Sequence, residues 1–139
     1  MQKKAIKINC CGSFYKKHQT KIGTFYFFDE YVITEFNEGV TVSFDSCKDL
    51  CFLINKYYGD TTPYGVISNR INSYSVFPTD YFYLKNMFFN LRCIAVVNYI
   101  NKTTYPFESE VVEKVICPRT YQSFKDLDTA RRWLCSMIS

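Results

Sequence analysis

Residues 93–97, with the sequence Cys-Ile-Ala-Val-Val, are apolar at every position. A strand with one wet face alternates apolar and polar residues, whereas a strand covered on both faces is apolar throughout. The longer segment 92–99 is therefore predicted to be a strand in the middle of a sheet. Helices must cover both faces of such a sheet, which favours an α/β fold.

Strand and helix patterns alternate along most of the chain. Two aromatic and β-branched segments, 23–28 and 31–36, are joined by Asp29 and Glu30 and predict an antiparallel hairpin. Further strands are predicted at 64–68, 92–99 and 121–124, and helices at 44–58, 78–90, 105–117 and from Asp126 onward. The order predicts a single mixed sheet of about five strands, with parallel central strands, covered by about four helices.

Local signals mark the ends of two of these helices. Ser43 is suited to cap the N-terminus of the first helix, and Gly59 is suited to end it. Asp126 is the predicted N-cap of the last helix.

The charge of the chain is concentrated in its first 21 residues, which hold six lysines and no acid. The remaining residues hold eleven of the 17 basic side chains and all 13 acids, a balance of −2, so the body of the protein is not basic. Residues 1–21 are accordingly predicted to be a basic leader, and residues 22–139 a single domain. Binding of nucleic acid is not expected, because no stacking or groove-reading motif accompanies the lysines.

The cysteines are predicted to be free, since seven is an odd number and Cys47, Cys51, Cys93 and Cys135 lie in segments that predict regular core structure. No apolar run reaches the roughly 20 residues that cross a bilayer. The first residues also lack the apolar stretch of a secretion signal. The expected compartment is the reducing cytoplasm.

Residues with catalytic or metal-binding potential do not form a recognisable set. Cys47 and Cys51 are one helical turn apart, but no second pair completes a tetrahedral metal site. His18, the only histidine, lies among lysines and is expected to be a surface residue without a partner. The sequence therefore predicts no enzyme, no metal site and no cofactor.

Polar residues follow the predicted central strands, where ligands of open α/β sheets usually bind. Residues 69–76 are predicted to be an exposed loop and the functional surface of the domain. A small anion could bind between Arg70 and Lys102. The candidate partner or ligand surface consists of Asn69, Arg70, Asn72, Ser73, Tyr74, Ser75, Asn98 and Lys102.

Three runs, residues 65–74, 93–97 and 121–134, resemble the small SpoIIAA-like domains of bacteria, which belong with the STAS (anti-sigma-factor antagonist) and CRAL-TRIO-like folds. The similarity spans about residues 22–139, and more narrowly the chain resembles the uncharacterised STAS-like proteins of the Bacteroidetes group. Those proteins have no assigned activity, so the resemblance implies a fold and not a function.

In STAS antagonists a phosphorylated serine or threonine, after an aspartate-ended strand, switches binding to a kinase partner. The comparable region of this chain holds Ser68, Ser73 and Ser75, but no Asp-Ser pair stands at the junction. The resemblance implies a phosphorylation switch, and this departure from the family's pattern puts the switch in doubt.

Two functions are favoured at this point, and an enzyme is a third and weaker option, since Arg70, Asn69 or a cysteine would have to act without a visible base. The first is a non-enzymatic regulatory or protein-interaction domain, which could be a homodimer and is favoured by the 12 tyrosines and 13 phenylalanines. The alternative is a domain that binds an apolar small molecule or lipid in a pocket at the carboxyl ends of the central strands.

Overall fold

A computed structural model describes residues 16–77, 79–80, 88, 90–99 and 120–138. The strands are β1 (Lys16–Gln19), β2 (Gly23–Phe27), β3 (Tyr31–Phe36), β4 (Thr41–Val42), β5 (Tyr64–Arg70), β6 (Ser75–Val76), β7 (Leu91–Asn98) and β8 (Thr120–Phe124). The helices are α1 (Lys48–Tyr58) and α2 (Leu127–Ile138). Neither of these helices is long and apolar enough to span a membrane.

The main sheet is mixed and has six strands in the order β1-β2-β3-β5-β7-β8. Strands β1, β2 and β3 are antiparallel, which confirms the predicted hairpin. From β3 to β8 every neighbouring pair is parallel. Strands β4 and β6 form a separate two-stranded parallel sheet.

The mixed α/β architecture agrees with the prediction, but its details differ. The main sheet has six strands instead of about five, because β1 adds an edge strand inside the segment that was assigned to the leader. Of the four predicted helices, the structure describes α1 and α2. The helix predicted at 78–90 falls mostly outside the described residues, and that at 105–117 falls wholly outside them.

The apolar run at 93–97 is the buried centre of β7. Each of its five side chains has 1% exposure or less. Ile94 and Val96 belong to the core cluster that contains the buried residues of α1, and Cys93, Ala95 and Val97 belong to the cluster beneath α2. Because both faces of the strand are covered by these clusters, residues 93–97 are all apolar and do not alternate with polar residues. Burial also raises the pKa of the Cys93 thiol to about 11.

The ends of the helices follow the local signals only in part. Gly59 closes α1 with a positive φ of 59°, and Asp126 accepts a hydrogen bond from the Thr129 amide at 2.8 Å. Helix α1 begins later than predicted, at Lys48, because Ser43 and Ser46 bond to each other in a preceding turn.

His18 is not the isolated surface residue that was predicted. It lies in β1, and its Nε2 atom is 2.8 Å from the Tyr57 hydroxyl on α1. Its ring also packs edge-on against Phe27. Partial burial and the charges of Lys16 and Lys56 lower the pKa of His18. The histidine therefore attaches the edge strand to α1 in its neutral form.

The prediction that all cysteines are free is wrong for Cys135, which is disulfide-bonded. Cys47, Cys51 and Cys93 are free. Sequence position did not reveal the difference, because Cys51 and Cys93 lie in regular secondary structure just as Cys135 does.

Close packing of α2 on the sheet depends on Gly65 at the start of β5. A Cβ atom at Gly65 would lie 2.7 Å from Leu134 Cδ1 and 2.9 Å from Leu134 Cγ. Leu134 is fully buried, so a shift of its side chain would disturb the packing of the core.

We expect Gly65→Ala to lower the free energy of unfolding by about 1–3 kcal/mol, the usual cost of overpacking a core. Chemical denaturation of the wild-type and variant proteins measures the change. In the double variant Gly65→Ala/Leu134→Ala the new methyl group has space. The double variant should therefore lose less free energy of unfolding than the two single variants lose in sum. Strictly additive losses would contradict the proposed clash.

A candidate ligand cavity and the polar ends of the strands

A cavity of about 60 Å³ lies between α1 and the main sheet. Its α1 side is formed by Cys47, Leu50, Cys51 and Ile54. Its sheet side includes Val66 and Ile94, and most of its other lining is also apolar. Space of this kind in an otherwise close-packed core is suited to a small apolar group.

One part of the cavity wall is polar and comes from neighbouring strands. Thr34 of β3 and Ser68 of β5 are register partners in the parallel pair, and both line the cavity. Tyr74 also lines it, and the Tyr74 hydroxyl is 3.1 Å from Ser68 Oγ. The wall thus places two strand hydroxyls side by side and a phenol next to one of them.

Arg70 adds a positive charge behind this polar wall. Its Nη1 atom donates a hydrogen bond of 2.6 Å to the Tyr74 hydroxyl, and its guanidinium carbon lies 4.3 Å from the centre of the Tyr74 ring. Ser68, Tyr74 and Arg70 therefore form a continuous hydrogen-bonded chain. Neighbouring bonds in such a chain polarise one another, most strongly next to a charged donor.

A second polar network occupies the opposite face of the sheet. Asn69 Nδ2 donates to Glu35 Oε2 at 2.8 Å, and the Tyr99 hydroxyl donates to Asn69 Oδ1 at 2.8 Å. Glu35 is 4% exposed, so its carboxylate depends on these buried contacts. Burial, followed by the charge of Glu35, raises the pKa of Tyr99. Tyr99 therefore stays a neutral hydrogen-bond donor.

The prediction that 69–76 is an exposed loop is wrong at both ends. Ser75–Val76 form strand β6, in which Val76 is buried. Asn69 and Arg70 belong to β5 and are 3% and 4% exposed. They are consecutive residues whose side chains point to opposite faces of the sheet and join different networks, so the structure does not bring them together in one site. Asn98 is the register partner of Arg70 on β7, whereas Lys102 lies outside the described residues.

Residues later in the predicted loop mainly hold it against the segment before α1. The Asn72 side chain donates to the Phe36 carbonyl at 3.0 Å, and the Ser73 amide donates to Glu38 Oε1 at 3.0 Å. The Ser75 amide bonds to the Val40 carbonyl beside the β4–β6 pair. Ser73 and Ser75 are exposed, but Ser68 is buried. These contacts give the loop a structural role.

Sequence reasoning missed Thr34 and Glu35, which join different networks although they are neighbours in β3. Glu35 is 4% exposed and lies on an interior strand of the main sheet. The available signal was the polar residues Thr34, Glu35 and Ser68 inside segments whose aromatic and β-branched residues predict strands.

Cys47 and Cys51 face the cavity together, yet the described part of the chain offers them no further metal ligands. No group of three or more His, Cys, Asp or Glu side chains converges there or elsewhere among the described residues. Both thiols contribute to the apolar lining.

No protein-family model matches the sequence, and no curated protein matches it. Among solved structures, it is similar to an uncharacterised protein of the DUF3478 family, with a SpoIIAA-like fold, from Shewanella loihica. The two are 13% identical, the match covers 88% of this chain and 93% of the other, and the TM-score is 0.49. The fold named there is the one that the three sequence runs resemble.

We expect Asn69→Ala to lower the free energy of unfolding by about 2–4 kcal/mol, because a buried carboxylate loses a donor and Tyr99 loses its acceptor. Adding Glu35→Gln should recover part of the loss by removing the buried charge. Asn72→Ala is the matched control and should cost about 1 kcal/mol, since it loses one half-buried bond. Equal losses at the two asparagines in urea denaturation would contradict a buried Glu35 network.

Proposed function

We propose that this chain is a non-enzymatic protein-interaction domain whose partner binds at the exposed side of α1. The observation that carries the proposal is Phe52, which is 68% exposed in the middle of that helix. Single exposed apolar residues are common and need no explanation. Phe52 is different because further exposed phenylalanines come from the adjoining segments.

Phe77 and Phe44 are two further exposed rings, and both lie outside α1. They are 57% and 41% exposed, respectively. The Phe77 amide bonds to the Val42 carbonyl at 2.9 Å, which places Phe77 on the backbone next to the segment that contains Phe44. We call Phe44, Phe52 and Phe77 the phenylalanine surface.

Charged side chains surround Phe52 on the same helix. Lys48, Asp49 and Lys56 are all exposed, within one turn of it. An aromatic anchor within a rim of mixed charge is the arrangement typical of protein interfaces, where a few buried rings supply most of the affinity. This surface, more than residues 69–76, is suited to a partner.

The volume of the cavity does not favour the alternative of a lipid carrier. Pockets that enclose drug-sized ligands measure roughly 300–1,000 Å³, whereas the cavity lined by the described residues measures about 60 Å³. An acyl chain of membrane-lipid length does not fit such a space.

A photo-crosslinking amino acid at position 52 tests the interaction in extract of the source organism. We expect a discrete protein adduct that unlabelled wild-type protein suppresses and Phe52→Ser protein does not. Phe52→Ser should change the free energy of unfolding by less than about 0.5 kcal/mol, because the ring is exposed.

The control carries the same crosslinker at position 132, where an exposed arginine lies on α2. An adduct of twice the chain mass would identify the partner as a second copy of the chain. The absence of an adduct from position 52, or the same adduct from position 132, would contradict the proposal.

A further inference from the structure

The hydroxyls of Thr34 and Ser68 are suited to bind one acceptor group inside the cavity. Both are buried, at 4% and 7% exposure, and stand side by side in register. Within the described part of the chain, no hydrogen bond is made by Thr34 Oγ1, although that side chain lines the cavity. Buried hydroxyls normally have partners, so this wall favours a ligand with hydrogen-bond acceptors.

The chain of bonds from Arg70 gives the acceptor a preferred charge. A guanidinium can only donate, so the Tyr74 oxygen accepts from Arg70 and its own proton is available to Ser68 Oγ. The Ser68 proton is then available to the cavity. A relay that begins at a cation and ends in a donor favours an anionic group over a neutral one.

The remaining lining sets the size and polarity of the ligand. A volume of about 60 Å³ corresponds to about four or five water-sized spheres, which is room for a small ligand only. Leu50, Ile54 and Ile94 line the apolar part. They favour hydrocarbon at the end opposite the hydroxyls.

We propose that the cavity binds a short-chain carboxylate. The carboxylate accepts hydrogen bonds from Thr34 and Ser68, and the short hydrocarbon part lies between α1 and the sheet. Tyr74 is a positioning residue that links the Arg70 charge to Ser68. This site is distinct from the phenylalanine surface and does not depend on the interaction proposed there.

Titration of the full chain with isobutyrate, followed by two-dimensional NMR, tests the site. We expect saturable shifts centred on residues that line the cavity. Isobutyramide has nearly the same shape without the charge, and we expect it to bind about tenfold or more weakly, the effect of losing a charge-assisted bond. Thr34→Val and Ser68→Ala should each weaken isobutyrate by about tenfold or more while the proteins stay folded.

Tyr74→Phe tests the hydrogen-bonding role of Tyr74 apart from its packing role, because the variant keeps the ring and removes the hydroxyl between Arg70 and Ser68. It should reduce the preference for isobutyrate over isobutyramide. Cys51→Leu, which fills the cavity from α1, should abolish the binding of both compounds and provides a test if a hydroxyl variant does not fold.

The proposal is overturned if isobutyrate causes no saturable shift at the cavity. It is also overturned if isobutyramide binds equally well, or if Thr34→Val and Ser68→Ala bind isobutyrate as the wild type does. Binding that survives Cys51→Leu would place the ligand elsewhere and would likewise overturn it.

Discussion

Side chains on β5 alternate between two covered faces of the sheet, and the rest of the structure depends on that constraint. All seven residues of the strand are buried. Ser68 and Arg70 therefore lie on the α1 face, whereas Ile67 and Asn69 lie on the α2 face. Each polar side chain must find its partners on its own side, because an unpartnered polar group inside a protein is costly. Because of this requirement, Ser68 and Arg70 join one network and Asn69, which lies between them, joins another.

The parallel register extends that separation to the neighbouring strands. Thr34 stands beside Ser68, and Asn98 stands beside Arg70. Glu35, one residue along β3, joins Asn69 on the other face. The α1 face thus combines hydroxyls and a cation with an apolar cavity, while the α2 face satisfies a buried carboxylate. A binding role belongs more naturally to the first face, where open space adjoins the polar wall.

Much of the architecture followed from patterns that local physics controls. The continuous apolar run at 93–97 identified an interior strand, the ring-rich pair of segments identified the hairpin, and Gly59 marked the end of α1. The candidate site was less predictable, because Asn69 and Arg70 are polar residues that resemble a loop in sequence. Their burial arises from β3 and β7 on either side and is a tertiary effect. The contact between His18 of β1 and Tyr57 of α1, 39 residues apart in sequence, is likewise a tertiary effect.

The separation of the two networks is tested most directly by double-mutant cycles that measure coupling in the free energy of unfolding. Tyr74→Phe and Tyr99→Phe act on opposite faces, and we predict that their effects add within about 0.5 kcal/mol. Tyr99→Phe and Asn69→Ala act in one network and should show a coupling of about 0.5–3 kcal/mol. Strong coupling between Tyr74 and Tyr99, or none between Tyr99 and Asn69, would contradict this account of the fold.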